Sequence, residues 1–433
     1  MKVKIKLRPY QIDLFKRCVA RLEKGKKVMM QLPTGGGKTA VFSQIANHYL
    51  SQGRSVLVIA HREELILQAR SKLRKITGMQ PGIVKAGHDL TLDAMVQIAS
   101  IQTLAARNSL ELKPELIIVD EAHHAPSRSY RNVLRRFDGA ELLGVTATPW
   151  RADRKGFPDF DELVCGPTVR ELIKDGWLCA YRLFGDPNPM PADVKRVGGD
   201  FSISQLAQRN NIKTLSGQIV STWQEHSPGK KTLVFAINVD HSKAIAARYN
   251  AAGIKAVHLD ATAKQCDRAQ VLKDFENDKI QVLTSVGLFS EGLDIPSLEV
   301  VQVARPTQSL ALWLQMAGRA LRPCAGKVEA LIIDHTDNWR RLGRPCVDRL
   351  WTLADIRNDP YGGTLAWLGG EYKGFEIIEV NQSLREIDFE QYMDEFEEAN
   401  RKFASSQGYR QSPQIPEAYG QSGAQQHSGC DRS

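Results

Sequence analysis

The chain has 433 residues, of which 42% are hydrophobic and 25% charged, with a formal charge of +9. That is the composition of an ordinary globular protein of two or three domains, and it excludes a fibrous or membrane-embedded chain. The charge is uneven: residues 351–433 carry a net −7, and residues 1–350 a net +16. A basic body suits either a polyanionic partner or plain solubility.

The start, Met1–Gln11, is charged and lacks the apolar core of a signal peptide. Short apolar runs follow at Val28–Gln31, Val56–Ala60, Val96–Ser100, Leu116–Asp120 and Leu142–Thr146. They predict buried parallel strands. Helical patterns at Lys38–Tyr49 and Arg62–Lys75 lie between them, so residues 1–150 form a doubly wound α/β domain. Residues 151–229 are expected to be a connector, with a proline-rich break at Pro187–Pro191.

A second α/β series occupies residues 230–345. Its strands are expected at Thr232–Ala236, Ala256–Asp260, Ile280–Ser285, Val300–Ala304 and Ala330–Asp334, with helices at His241–Ala251 and Arg268–Asn277. Residues 346–403 form a partly helical, acidic extension that offers a surface for a protein partner. Residues 404–433 have the polar composition of a disordered tail. The seven cysteines form no CxxC pair and the histidines complete no zinc pattern. Reduced thiols and a cytoplasmic setting are therefore expected. No stretch reaches the ~20 apolar residues of a membrane span.

The segment from Gln31 to Thr39 contains Thr34, Gly35, Gly36, Gly37, Lys38 and Thr39, between an apolar strand and a helix. Glycines let backbone N–H groups wrap a phosphate, and the helix N-terminus faces it. Lys38 reaches the outer phosphates and the Thr39 hydroxyl binds Mg²⁺. Leu32 stands where the general phosphate-loop pattern has its first glycine. The strand Leu116–Val119 runs into Asp120, Glu121, Ala122 and His123. Beside a phosphate loop, Asp120 holds Mg²⁺ and Glu121 orients and deprotonates the attacking water. The next residue, His124, reads as a loop residue. ATP and Mg²⁺ are thus the expected ligands.

Together these residues resemble the superfamily 2 helicases that carry a DEAH box, over roughly residues 4–340. The resemblance implies two tandem RecA-like domains plus a small C-terminal extension. It implies adenine recognition by Arg8 and Gln11, since Leu7–Gln11 is similar to the family's adenine motif. It implies nucleic-acid backbone contacts at Arg62, Thr103, Asn238 and Thr284. Thr146–Pro149 is similar to the motif that couples the two sites, and Gln265–Arg268 to an interface segment. Ser290–Pro296 is similar to a fifth motif, in which Gly292 and Asp294 lie near the nucleotide sugar.

Gln315–Arg322 is similar to the family's QxxGRxxR motif, implying catalytic roles for Gln315, Arg319 and Arg322. A helix would put the two arginines one turn apart on one face, where they stabilise charge developing at the γ-phosphate. The subgroup resembled is that of bacterial and phage helicases related to DNA-repair and type I restriction motors. An ATP-dependent DNA helicase or translocase is expected, in a bacterial cell or phage-infected host. RNA as substrate and an ATP-gated clamp without unwinding stay open as alternatives.

Overall fold

The computed structural model describes residues 6–107, 110–151, 153, 155–185, 194–197, 200–208, 211–260, 262–263, 265–289, 295–349, 351–355 and 385–386. Seven strands make the first sheet: β1 (Val28–Gln31), β2 (Val56–Ala60), β3 (Gly82–Val84), β4 (Val96–Ser100), β5 (Leu116–Asp120), β6 (Glu141–Thr146) and β7 (Glu162–Cys165). Their order is β3-β4-β2-β5-β6-β1-β7, and every pairing is parallel.

The second lobe contributes β8 (Tyr181–Gly185), a two-stranded hairpin of β9 (Arg196–Val197) and β10 (Asp200–Phe201), then β11 (Thr232–Phe235), β12 (Ala256–Leu259), β13 (Val282–Ser285), β14 (Val300–Val303), β15 (Ala330–Asp334) and β16 (Arg385–Glu386). The larger sheet runs β12-β13-β11-β14-β15-β8-β16, parallel except where β16 meets β8.

Alternation within the strands explains both faces of the first sheet. Val56, Val58 and Ala60 join the core under the helices Pro9–Leu22, Lys38–Ser51 and Glu63–Thr77, as do Val28, Met30, Leu116 and Ile118. Leu57, Ile59, Met29, Ile117 and Val119 face the opposite way, against Leu104, Tyr130, Val133 and Phe137. A strand buried on both faces reads as an unbroken apolar run, which is why these five were visible in the sequence. In the second lobe Trp223, Val234, Ile245, Tyr249 and Val282 fill one core, and Trp223 donates its indole N–H to the Thr232 hydroxyl at 2.7 Å.

The expected connector 151–229 is not a separate layer. Its first part, β7, extends the first sheet beside β1, and β8 extends the second beside β15. The helix Asn211–His226 packs on the helix Val239–Ala251 of the second lobe. Both added strands mix polar with apolar residues (Glu162, Tyr181, Arg182), so no apolar run announced them. The chain crosses between lobes over residues 166–180 and returns near residue 353, where Leu353 accepts from the Phe157 N–H at 2.8 Å. The expected break at Pro187–Pro191, the disordered tail and most of the expected extension lie outside the described residues. Among the described residues, no helix is long and apolar enough to cross a membrane.

Candidate functional site

Three loops leave neighbouring strands at one edge of the first sheet. The register sets Gln31 of β1 beside Thr146 of β6, and Asp120 of β5 beside Val145. In a parallel sheet these carboxyl ends open on a shared crevice.

The loop after β1 is shaped by its glycines. Gly35 and Gly37 adopt φ of 85° and 88°, a region side chains disfavour. A Cβ on Gly35 would meet Leu178 Cδ2 at 2.8 Å, and one on Gly36 would meet Leu32 Cγ at 2.8 Å. Leu32 therefore occupies the space beneath the loop, fully buried, which accounts for its tolerance at a position where glycine is usual. From above, Gly36 O accepts the Tyr10 hydroxyl at 2.7 Å and the Gln11 amide at 2.9 Å. Gln11 Oε1 accepts the Arg8 N–H at 3.0 Å. The amide expected to read an adenine edge thus also braces the phosphate loop.

Lys38 opens the helix Lys38–Ser51, with Thr39 next to it, both partly accessible. Its pKa is lowered chiefly by desolvation; Glu121 and Asp120 pull it up, while Arg319 and Arg322 push it down. One ammonium thus senses two carboxylates from the first lobe and two guanidiniums from the second. Asp120 and Glu121 are each only 6% exposed. Glu121 sits at φ 51°, a left-handed backbone that costs a non-glycine residue on the order of 1–3 kcal/mol and recurs at functional sites.

A chain of contacts runs out from Glu121. Gln315 donates to Glu121 Oε2 across the lobes at 3.3 Å. His123 Nδ1 lies 3.3 Å from the same oxygen and 3.1 Å from the Thr146 hydroxyl. Thr146 in turn bonds the Thr148 carbonyl at 3.1 Å. His124 is not a plain loop residue: it closes a 3-10 turn, 4.1 Å ring to ring from His123 and 4.9 Å from His61. No local pattern announces this stack, because His61 is some 60 residues away in the chain.

One expectation, on the two arginines, needs correction. Arg319 and Arg322 do not share a helix face. The helix Leu310–Ala317 ends at Gly318; Arg319 lies in the turn that follows and Arg322 just beyond it. Pro323 holds Arg322 away from the helical region, so the turn ends there. Thr284, expected to meet a nucleic-acid backbone, is fully buried, and its hydroxyl is spent on Ser242 at 2.9 Å. Asn238 caps the helix Val239–Ala251, accepting from the His241 N–H at 2.8 Å. Thr103 is 6% exposed and accepts from the Ala86 N–H at 3.1 Å. Arg62 donates to Gly287 O in the other lobe at 2.9 Å. Gly292 and Asp294 lie outside the described residues.

Further residues complete the junction, among them Trp177 and Leu178 of the segment 154–184, which resembles the interdomain segment of the same bacterial and phage helicase group. Trp177 carries the Arg8 guanidinium 4.6 Å above its ring, and Tyr10 is 6.1 Å away. Leu178 abuts Gly35, and the Cys179 N–H donates to Leu321 O at 2.8 Å. Gly318 lies against Thr34 of the phosphate loop. Arg268 forms an ion pair with Glu64 across the lobes.

Comparison with known proteins agrees with this geometry. Residues 4–151 match the family model described as the type III restriction enzyme res subunit, and residues 210–324 match the helicase conserved C-terminal domain. A 51.5 kDa protein of a Lactococcus phage (isolate 7-9) is 34% identical over 324 residues, covering 75% of this chain and 68% of the relative. IRC3 of Saccharomyces cerevisiae, which carries the name of an ATP-dependent helicase, is 32% identical over 355 residues, covering 76% of this chain. The chain spans about half of that relative, 51% of its length. Among solved structures, a fragment of an HsdR subunit of a type I restriction enzyme from Vibrio vulnificus YJ016 shares the fold. Its TM-score is 0.61 at 21% identity, over 78% of this chain and 66% of that one. With tandem RecA-like lobes, both family models in order and a phage relative matched over two thirds of its length, the chain belongs to the superfamily 2 helicases related to restriction motor subunits.

Proposed function

We propose that the chain is an ATP-dependent DNA helicase or translocase acting in replication, recombination or repair. One observation carries the reading: Gln315 of the second lobe donates to Glu121 of the first at 3.3 Å, and Gly318 of the second lobe lies against Thr34 of the phosphate loop. A nucleotide site divided in this way is complete only when the lobes meet. Closure and opening then move the two lobes past each other once per cycle.

The residues of the chain have separate tasks in this reading. The glycine loop and Lys38 hold the β- and γ-phosphates, and Arg8 and Gln11 hold the adenine edge. Glu121 accepts a proton from the attacking water at its carboxylate, while Gln315 and His123 fix its orientation. Arg319 and Arg322 offset charge developing at the γ-phosphate. Thr39 and Asp120 would hold Mg²⁺, which supplies further charge neutralisation when bound. Among the described residues no group of three His, Cys, Asp or Glu forms a metal cage. That fits Mg²⁺, which takes one or two carboxylates and completes its shell with water and substrate phosphates.

DNA is preferred over RNA because the first lobe matches a restriction-enzyme model. The basic body, net +16 over residues 1–350, favours a polyanion of either kind. Strand-displacement and triplex-displacement assays on DNA and RNA test the assignment. Unwinding of a DNA duplex identifies a helicase, and triplex displacement without unwinding a duplex translocase. ATP turnover that ignores both nucleic acids would contradict the proposal.

A further inference from the structure

The first lobe carries a groove that none of the sequence motifs covers. Its cavity, about 790 Å³, is lined by Ala105, Arg128, Ser129, Asn132, Val133 and Arg136. The groove lies between the helix Ile101–Ala106 and the helix Arg128–Leu134 with the turn that follows it.

The polar lining arises from helical periodicity. Tyr130, Val133 and Phe137 point into the core and are 3%, 1% and 9% exposed. Arg128, Ser129 and Asn132 occupy the other side and are exposed. Four residues advance a helix by roughly 6 Å, so Arg128 and Asn132 form successive steps along one stripe. Arg136 continues it and is held in place, donating to Leu104 O at 2.7 Å and Arg107 O at 3.3 Å. Among the described residues no carboxylate lines the groove, and residues 126–137 contain four arginines and no acidic residue. Arg131, on the same helix, is matched by Asp159 at 3.0 Å and does not line it.

We infer that this groove binds the sugar–phosphate backbone of a nucleic-acid strand, through Arg128, Ser129, Asn132 and Arg136. The chemistry is that of an extended anion. Two cations and two neutral hydrogen-bonding groups in a row suit repeated phosphates, and contacts of this kind position a strand without reading its sequence. The location agrees: Ala105 lies on the helix Ile101–Ala106, which also carries Thr103, so the groove prolongs the expected strand path onto the flank of the lobe. The inference rests on the nucleic-acid reading given above.

The test is the salt dependence of binding. Fluorescence anisotropy would follow a labelled 30-nucleotide DNA single strand, and the matching duplex, between 50 and 200 mM salt. Each phosphate contact contributes about 0.7 to the slope of log K against log salt for a single strand and about 0.9 for a duplex. Arg128→Glu should lower the slope on at least one probe by about one contact and weaken binding at 100 mM salt tenfold or more. Arg128→Lys should restore the slope. Arg135→Glu makes the same charge change on an exposed neighbour outside the groove and should leave the slope at the wild-type value. ATP turnover without nucleic acid should be unchanged in all three. A wild-type slope in Arg128→Glu, or an equal loss in Arg135→Glu, would overturn the groove alone. Failure of the wild type to bind either probe would overturn the nucleic-acid reading and the groove with it.

Discussion

Replacing Gly318 by alanine adds one methyl group at the point where the second lobe meets the phosphate loop. A Cβ there would stand 2.7 Å from Thr34 Cβ and 2.8 Å from Thr34 Cγ2. Carbon atoms prefer 3.5–4.0 Å, so the loop and the turn must separate by about 1 Å. The backbone at Gly318 has φ −65° and ψ −12°, which alanine adopts without strain. The cost is therefore steric and falls mainly on the contact between the lobes, with a smaller part against Leu314 O of the same lobe at 2.9 Å. Overpacking of this kind costs about 1–3 kcal/mol, and a conformational equilibrium biased by that amount shifts roughly 5- to 150-fold. Maximal ATP turnover should fall by a factor in that range. Nucleotide binding, followed with a fluorescent ATP analogue, should stay within a few-fold of wild type, because the phosphate loop itself is unaltered. The melting temperature should change little, since the gain of about 0.4–1 kcal/mol from a stiffer unfolded chain offsets part of the strain against Leu314 O. Wild-type turnover in Gly318→Ala would refute the view that this contact belongs to the active arrangement.

Further outcomes follow from the same site. Glu121→Gln should bind ATP normally yet lose about two to four orders of magnitude in single-turnover hydrolysis; normal turnover would remove Glu121 from the base role. Arg322→Ala should bind ATP while losing nucleic-acid stimulation by about 10³-fold or more, checked by steady-state hydrolysis with and without DNA. Trp177→Ala should raise KM for ATP more than it lowers kcat, and Trp177→Phe should restore it, because Trp177 supports the Arg8 side of the nucleotide site.

Stability should fall as pH drops from about 6.5 to 5. Burial holds His241 down to about 4 and His335 down to about 3, so in this window only the unfolded chain takes up those two protons. Burial pushes Asp334 up to about 7, so the folded chain keeps one proton that the unfolded chain releases. The proton difference between the states grows from about a quarter near pH 6.5 to about one near pH 5, so the loss steepens to about 1.3 kcal/mol per pH unit at the acid end. Urea melts at pH 6.5, 5.75 and 5 would show it, and a flat or rising profile would contradict the assignment.

The sheets were legible where burial on both faces made a strand uniformly apolar, as in Val56–Ala60 and Ala330–Asp334. They were not legible at β7 and β8, where Glu162, Tyr181 and Arg182 break the apolar run, nor at the three-residue β3. The phosphate loop and the DEAH segment could be read because glycines, Lys38 and two carboxylates stand at strand ends, where backbone geometry and chemistry coincide. What pattern could not supply was contact between distant segments. Tyr10 on Gly36, Trp177 under Arg8 and His61 against His124 join pieces of chain whose local sequence carries no mark of the pairing. The helical face expected for Arg319 and Arg322 failed for a local reason: the helix ends at Ala317, with Gly318 as its cap, before either arginine is reached.

The central claim is that one ATP site is built from both lobes and answers to nucleic acid. It is tested most directly by steady-state ATP hydrolysis of the wild-type chain, measured with and without single strands, duplexes, forks and four-way junctions of DNA and RNA. Strong stimulation by at least one DNA form is expected. Equal rates with and without every nucleic acid would contradict it.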